Sequence, residues 1–514
     1  MVEGAQIVWF KRDLRVHDHA PLFQAAEHGR PVVPLYIVEP DYWAQPFAST
    51  RHWSFIHDCL TDLDRALRAL GQPLILRRGE ACAVLNALRR QTGATTLWAH
   101  EETADLWTYE RDKRVRRMCR ETGLTLRELP SNGVVRRLAS RDDWSRIRNQ
   151  RMSAPLVPKP AVLTPVPDCR SEPLPGKQDP LMGAAVAGGT QRGGRRAAVA
   201  DLQSFLTQRA QGYLRHISSP GASERSCSRL SAHIAWGALS VREVVQALEQ
   251  RRKELSPLER KSFGRNLSAF GSRLAWRCHF VQKLEDEPRL ETRCMHPAFE
   301  GMREAEFDPQ RFDAWARGRT GYPFVDACMR SLIQQGWITF RMRAMLVSFA
   351  SYQLWLDWRR TAPYLAQLFT DYEPGIHYSQ FQMQSGVTGI NTIRVYNPVK
   401  QGLDQDPGGA FVRRWVPELR DVPDGKVHEP WTAGGLFDPA SGVAASGYPP
   451  PIVDHALTSK QAKDRIAAIR KSDGFRSRKL AVVQRHGSRK TRPTTRPKTR
   501  RAQGSSPDQL DLFR

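Results

Sequence analysis

Five consecutive residues, Cys227-Ser228-Arg229-Leu230-Ser231, stand just ahead of the apolar run Ala232–Leu239 and carry two hydroxyls and a guanidinium. Hydroxyls and a cation at a helix start suit a phosphate or pyrophosphate, and the same residue types also serve as ordinary helix caps. A second cluster, Asp371-Tyr372-Glu373-Pro374-Gly375-Ile376-His377, gathers two carboxylates and an imidazole. Read alone, His377 is a loop histidine that satisfies backbone groups. Trp276-Arg277 sets a stacking surface beside a cation. That combination can hold an extruded base together with its phosphate.

The elements that must position these groups fall into two kinds. Over the first ~130 residues, short apolar runs at Gln6–Phe10, Val32–Val38, Pro73–Leu76, Thr96–Ala99 and Leu124–Glu128 predict strands. Helical patterns lie between them at Ala20–Glu27, Trp53–Leu70, Ala81–Gln91 and Tyr109–Glu121. The alternation implies a doubly wound α/β domain with a parallel sheet, here 1–135. No GxGxxG follows the first strand, so no dinucleotide site is read there. The Pro-, Gly- and Arg-rich residues 136–200 predict a partly mobile connector. From Asp201 to about Gln367 a helical period recurs, which predicts an all-α domain, 201–455. After Gly375 the pattern is irregular, with a last helix at Ser459–Arg470. Beyond it, 471–514 is too charged to bury itself and predicts a disordered basic tail.

Composition bounds the function class. The 514 residues are 40% hydrophobic, enough for two or three domains with buried cores. No apolar run reaches membrane-spanning length and the N-terminus lacks a secretory apolar region, so a cytoplasmic protein with no membrane partner is expected. The eight cysteines show no CxxC pairing, which argues against disulfides and against an iron–sulfur site. A net charge of +25 points to a polyanionic partner. Between Arg470 and Arg501 there are 13 Lys and Arg against the single Asp473, and the body of the chain carries the remaining excess.

The stretch from Thr320 to Leu419 contains Thr320-Gly321-Tyr322-Pro323-Phe324-Val325-Asp326-Ala327-Cys328-Met329-Arg330, then Gly336-Trp337, Tyr396-Asn397-Pro398 and Arg413-Arg414-Trp415-Val416-Pro417-Glu418-Leu419. This resembles the flavin domain of the photolyase/cryptochrome family, and Trp9-Phe10-Lys11-Arg12-Asp13-Leu14-Arg15 resembles the opening of its antenna domain. The resemblance covers about Gln6–Leu419. It implies FAD as cofactor, a second antenna chromophore of unidentified chemistry, and DNA with a flipped, damaged base as partner. The activity it implies is blue-light-driven repair of pyrimidine photoproducts by electron transfer from reduced flavin. The alternative within the same family is a cryptochrome-type photoreceptor that binds FAD without repair. A light-independent flavoprotein that binds nucleic acid structurally is a third reading.

By the same resemblance, Tyr213, Cys227, Ser228, Arg229, Leu230 and Ser231 hold FAD at one end. Arg343, Asp371, Glu373 and His377 hold it at the other. The pairing of Asp371 with Arg343 stabilises negative charge on the isoalloxazine ring, and His377 faces flavin N5, where it can donate a hydrogen bond or take a proton. Trp276 stacks on the lesion and Trp358 is the middle member of a tryptophan relay. With His377 these form the expected catalytic set. Arg273, Trp276, Arg277, Phe340, Arg341 and Gln401 form the expected DNA-binding set, Gln401 on a basic rim with Arg413-Arg414-Trp415.

The sequence departs from the family in the substrate cleft. Arg273 stands where a lesion-contacting glutamate is usual, Thr339-Phe340 replaces His-Asn, and Met383 replaces the second stacking tryptophan. Phe381 replaces the flavin-proximal tryptophan of the relay, for which Trp337, Trp355 and Tyr352 offer another route. Finally, Gln509-Leu510-Asp511-Leu512-Phe513 resembles the bacterial sliding-clamp binding motif, placed where a tethered peptide gains effective concentration.

Overall fold

The computed structural model describes residues 4–432 and 447–487. Five parallel strands, β1 (Gln6–Phe10), β2 (Val32–Val38), β3 (Ile75–Arg78), β4 (Thr96–His100) and β5 (Thr125–Leu129), pair in the order β3-β2-β1-β4-β5. Both β1 and β2 are buried along their whole length, as central strands covered on both faces must be. Helices Ala20–Glu27, Thr50–Arg68, Ala81–Thr92 and Leu106–Thr122 are the crossovers. Strand order reverses between β1 and β4, so a crevice opens beyond their carboxyl ends. Lys11, Arg12, His100 and Glu102 line it, and Arg277 and Glu373 close it from the helical half, so that it is narrow, with room for about 50 Å³.

Behind this crevice the Asp13 carboxylate accepts from both His19 Nε2 (2.9 Å) and His100 Nδ1 (2.7 Å). The other oxygen of Asp13 accepts from Lys11 N, and His19 Nδ1 accepts from Leu22 N. Three potential metal ligands thus converge, but each is committed to a neighbour that fixes the β1 exit loop.

The second half is helical. Arg12 joins it to the first: its Nε donates to Ala235 O (3.0 Å), its Nη2 to Tyr372 O, and its guanidinium lies 4.2 Å from the Trp236 ring. Gly237, with φ +80°, passes so close to Arg12 and Asp13 that a Cβ would fall 2.3 Å from their backbone atoms.

Three differences from the sequence reading have physical causes. The connector does not hang free. Residues 154–194 pack along both halves, with Leu163 and Met182 buried and Ser49 bridged to Ala184. The segment after Gly375 is irregular only in part. Pro374–Gln384 is a helix, because proline at the first helical turn starts a helix rather than breaking one. Nor does ordered structure stop at Lys471. A further helix, Asp473–His486, buries Phe475, Val482 and His486 against the helical half, and Phe475 stacks on His296 with ring centroids 4.2 Å apart. The last residues of the expected tail, 488–514 with the clamp-like peptide, lie outside the described residues. No helix among the described residues is long and apolar enough to cross a membrane.

Buried neutral histidines make this fold acid-sensitive. His52 donates from Nε2 to Ala366 O and Phe369 O, and burial pushes its pKa down to about 3, as it does that of His100. Both folded values lie below the ordinary histidine value. Their stabilising contribution is therefore complete above about pH 6.5 and is lost as pH falls below it, when the unfolded chain takes up protons the fold refuses. We predict a loss of about 1.4 kcal/mol per pH unit for each histidine below about pH 6.5, read as the urea midpoint at pH 7 against pH 5. An unchanged midpoint would refute it.

Candidate functional site

One large cavity with about 2040 Å³ of empty space, continuous with open solvent, is built from four segments of the helical half. Helix Pro257–Asp286 contributes Arg273, Trp276, Arg277 and Phe280, spaced to share one face. Helix Phe340–Ser348 contributes Phe340, Arg341, Arg343, Ala344 and Val347. Helix Pro374–Gln384 contributes Ile376, His377, Gln380, Phe381, Met383 and Gln384. It crosses the first helix so tightly that a Cβ on Gly375 would lie 2.5 Å from Val281 Cα. Residues 227–231 close one end, with Tyr213 and Trp337 beside them.

At that end the sequence reading needs one refinement. The short helix runs Ser231–Ala235 with Leu230 as its N-cap, and neither Ser228 nor Ser231 caps it through its side chain. Ser228 Oγ accepts only a 3.4 Å bond from Leu230 N. Arg209 Nη2 holds Ser228 O (3.2 Å) and Gln191 Nε2 holds Arg229 O (2.9 Å), which pins the segment from outside. Arg229 adopts φ +60°, a conformation that costs a non-glycine residue energy and is met at ligand sites. Its guanidinium stacks 4.2 Å from the Trp337 ring, and burial lowers its pKa, so a bound anion would stabilise it. Cys227 and Leu230 are buried, and both line the cavity.

Next to this segment Arg343 grips Asp371 with two parallel bonds, Nη1 to Oδ1 at 3.0 Å and Nη2 to Oδ2 at 2.9 Å. Burial alone would push the Asp371 carboxyl up, but the Arg343 guanidinium, with Ser231 and Arg229 in support, holds it below the usual carboxylate range. Asp371 is therefore a fixed negative charge beside a fixed positive one. His377 Nε2 lies 2.9 Å from Ala362 O, which fixes the proton on Nε2 and leaves Nδ1 as an acceptor. Burial pushes its pKa down to about 4. At neutral pH it is therefore uncharged, with Nδ1 open as a hydrogen-bond acceptor.

The remaining expected residues divide. Trp276, Phe340 and Arg341 line the cavity. Arg273 joins them there, its guanidinium 4.2 Å from the Trp276 ring and bonded to the Tyr213 hydroxyl. Arg277 is not a free rim cation, because Glu373 captures it in a largely buried ion pair in the wall between the cavity and the crevice, and that occupies Glu373 as well. Gln401 is not outward-facing either. On helix Pro398–Gln405 it is buried, with its Oε1 unpartnered among the described residues. On the expected rim, Arg413 is tied to Val422 O and Asp424, while Arg414 is exposed beside Glu224. Trp358 is fully buried and does not line the cavity. Its aromatic neighbour is Tyr378, with centroids 6.5 Å apart. Trp355 lies between two guanidiniums, Arg303 at 4.5 Å and Arg465 at 4.8 Å.

Sequence reasoning missed Phe280, Gln380, Gln384, Asn391 and Arg394 as cavity residues. A helical count continued through Pro374 would have placed both glutamines on the face that carries His377.

The donor set suits a dinucleotide. The hydroxyls and guanidinium of residues 228–231 match a pyrophosphate, and the adjoining Arg–Asp fork matches the polar edge of a flavin ring. The comparisons agree. Residues 6–142 match the DNA photolyase domain and residues 270–468 match the FAD binding domain of DNA photolyase. The deoxyribodipyrimidine photo-lyase of Agrobacterium fabrum is 30% identical over 488 residues, covering 91% of this chain and 98% of that one. Cryptochrome DASH of Gloeobacter violaceus is 29% identical, covering 87% of this chain and 93% of that one. The crystal structure of a bacterial class III photolyase from Agrobacterium tumefaciens superposes with a TM-score of 0.77 at 28% identity, over 92% of this chain and 99% of that one. With both domains matched and the cavity built for the same cofactor, the chain belongs to the DNA photolyase/cryptochrome family and carries its FAD-binding domain.

Proposed function

We propose that this protein is a light-driven DNA photolyase acting on pyrimidine photoproducts. The observation that carries the reading is that the Arg343–Asp371 fork and the Trp276 face share one cavity. A flavin held at the first lies next to a base stacked on the second. When bound, reduced FAD supplies an excited-state electron to the lesion and takes it back after bond cleavage. The protein's own groups bind and orient. Ser228, Arg229 and Ser231 hold the pyrophosphate, and Asp371 and Arg343 fix the ring's polar edge. His377 offers a neutral acceptor that leaves the local charge unchanged. Trp276 and Phe340 stack the extruded base and exclude water around it. Arg341 and Arg273 bring positive charge to its phosphates. In this reading 1–135 is the antenna-type domain, 136–200 the connector and 201–455 the flavin domain. A second chromophore would be identified by an absorption and fluorescence spectrum.

Cryptochrome-type signalling is the second reading, favoured by Arg273 and Phe381 in this cavity. Illumination of the FAD-loaded protein with DNA carrying cyclobutane dimers or (6-4) products separates the two. Recovery of intact pyrimidines is the expected result, and flavin photoreduction without recovery would assign the receptor.

The net charge of +25 and the terminal Gln509-Leu510-Asp511-Leu512-Phe513 further suggest a cytoplasmic protein tethered to the bacterial sliding clamp. Deleting the pentapeptide should abolish co-elution with the clamp, and unchanged co-elution would remove that partner.

A further inference from the structure

Helix Pro374–Gln384 buries three glutamines, and only one of them is satisfied. Gln382 faces away from the cavity. Its oxygen accepts from Met295 N, and its nitrogen donates to Leu290 O (2.7 Å) and Arg293 O (2.8 Å). Gln380 and Gln384 line the cavity at 8% and 2% exposure. Neither the oxygen nor the nitrogen of either amide has a partner among the described residues. The same residue type on the same helix is thus fully bonded where it serves the fold and unbonded where it meets the cavity. A buried amide without partners is costly, and native cores rarely carry two side by side.

The chemistry of the missing partner can be read from the pair. A carboxamide presents an acceptor and a donor side by side. Its complement is an N–H flanked by a carbonyl, as along the edge of a cyclic imide. Residues four apart on a helix are neighbours, so two such edges can be met together. Asn391 brings another carboxamide to the cavity, but its oxygen already accepts from Thr388 Oγ1 (3.0 Å), while Arg273 and Arg341 only donate and Trp276 and Met383 bring mainly apolar surface. The N3–H and C4 carbonyl of a thymine ring form such an edge, and it survives when the C5–C6 bond saturates in a photoproduct.

We infer that Gln380 and Gln384 are the lesion-reading residues of this protein, one carboxamide meeting the imide edge of each ring of a flipped dipyrimidine. The assignment rests on the repair reading. It makes recognition depend on neutral amide pairs, so lesion affinity follows the N3 proton of the damaged bases. The isoalloxazine ring carries an imide edge too, and the experiment separates that source.

Binding in the dark is measured for FAD-loaded full-length protein with oligonucleotides carrying a thymine cyclobutane dimer or its N3-methylated counterpart. Gln380→Leu and Gln384→Leu are compared with wild type. Each substitution is expected to weaken dimer binding about 10- to 100-fold, the range of one bidentate base contact. N3-methylation should weaken wild-type binding similarly and the double variant little. The melting temperature should hold or rise, since an apolar group replaces an unpaired amide. Lesion-selective wild-type binding that neither the variants nor methylation reduces would overturn the assignment while leaving the repair reading intact. Absence of lesion selectivity in wild type would remove both. Loss of FAD retention, with lesion affinity of the remaining loaded protein unchanged, would give the amides to the flavin and also overturn it.

Discussion

Arg343→Met is expected to give a colourless protein. The substitution removes both bonds that hold Asp371 and leaves that buried carboxylate with only Arg229 and Ser231 for support. Breaking a buried pair from one side costs about 3–5 kcal/mol. It also removes the Arg343 Nε bond to Ile338 O (3.0 Å) and the guanidinium 4.1 Å from the Phe369 ring. The helix carrying Arg343 would then lose its register with the segment carrying Asp371, and the cofactor end of the cavity would lose its shape. Adding Asp371→Asn should recover part of the stability, because the orphaned charge is gone, without recovering the pigment. The ratio of flavin to protein absorbance after reconstitution is the measurement. A fully yellow Arg343→Met protein would show that the fork is not the flavin's seat.

The largest stability effect is expected at Arg51, far from the cavity. This guanidinium is 2% exposed, and no carboxylate among the described residues faces it. Four carbonyls do: Nη1 donates to Leu332 O (3.1 Å) and Leu368 O (2.8 Å), and Nη2 to Ala187 O and Ile333 O. Leu332 and Ile333 belong to the last turn of helix Pro323–Gln335, and Leu368 ends helix Trp358–Leu368. Two helix C-termini therefore supply the negative potential that an acid would otherwise provide. Burial still pulls the Arg51 pKa down to about 10, so the charge is retained at neutral pH. Arg51→Met leaves three of these acceptors, Ala187 O, Ile333 O and Leu368 O, without the guanidinium, while Leu332 O keeps its bond from Gly336 N (2.8 Å), and the change should cost about 3–5 kcal/mol. Denaturant melts with the cofactor absent would read it, and a loss under about 1 kcal/mol would mean that water replaces the guanidinium.

Much of the first domain is legible in the sequence because its chemistry is repetitive. Val32–Val38 and Gln6–Phe10 have apolar side chains nearly throughout, since both faces of a central parallel strand are covered. The helix Pro374–Gln384 is illegible for the opposite reason. The side chains that should display its period, His377, Gln380 and Gln384, are polar because they face a ligand cavity rather than the core. The Asp473–His486 helix is anchored by only three buried side chains, too few to raise a periodic signal above its arginines and lysines. The Arg343–Asp371 fork was reached by family resemblance alone, because spacing along a chain does not say which acid meets which base. At Arg277 a nearby carboxylate, Glu373, decides the direction of the side chain, and that pairing is not written in the local sequence.

Arg12 reaches from the strand side and fixes the carbonyl of Tyr372, the residue that follows Asp371. The pigment's seat is thus completed by a part of the chain some 360 residues earlier in the sequence. Expressing the helical half alone should therefore yield a loose, poorly tuned chromophore pocket. Any exchange of antenna modules between relatives must carry this single arginine along, or the recipient will lose colour before it loses its shape.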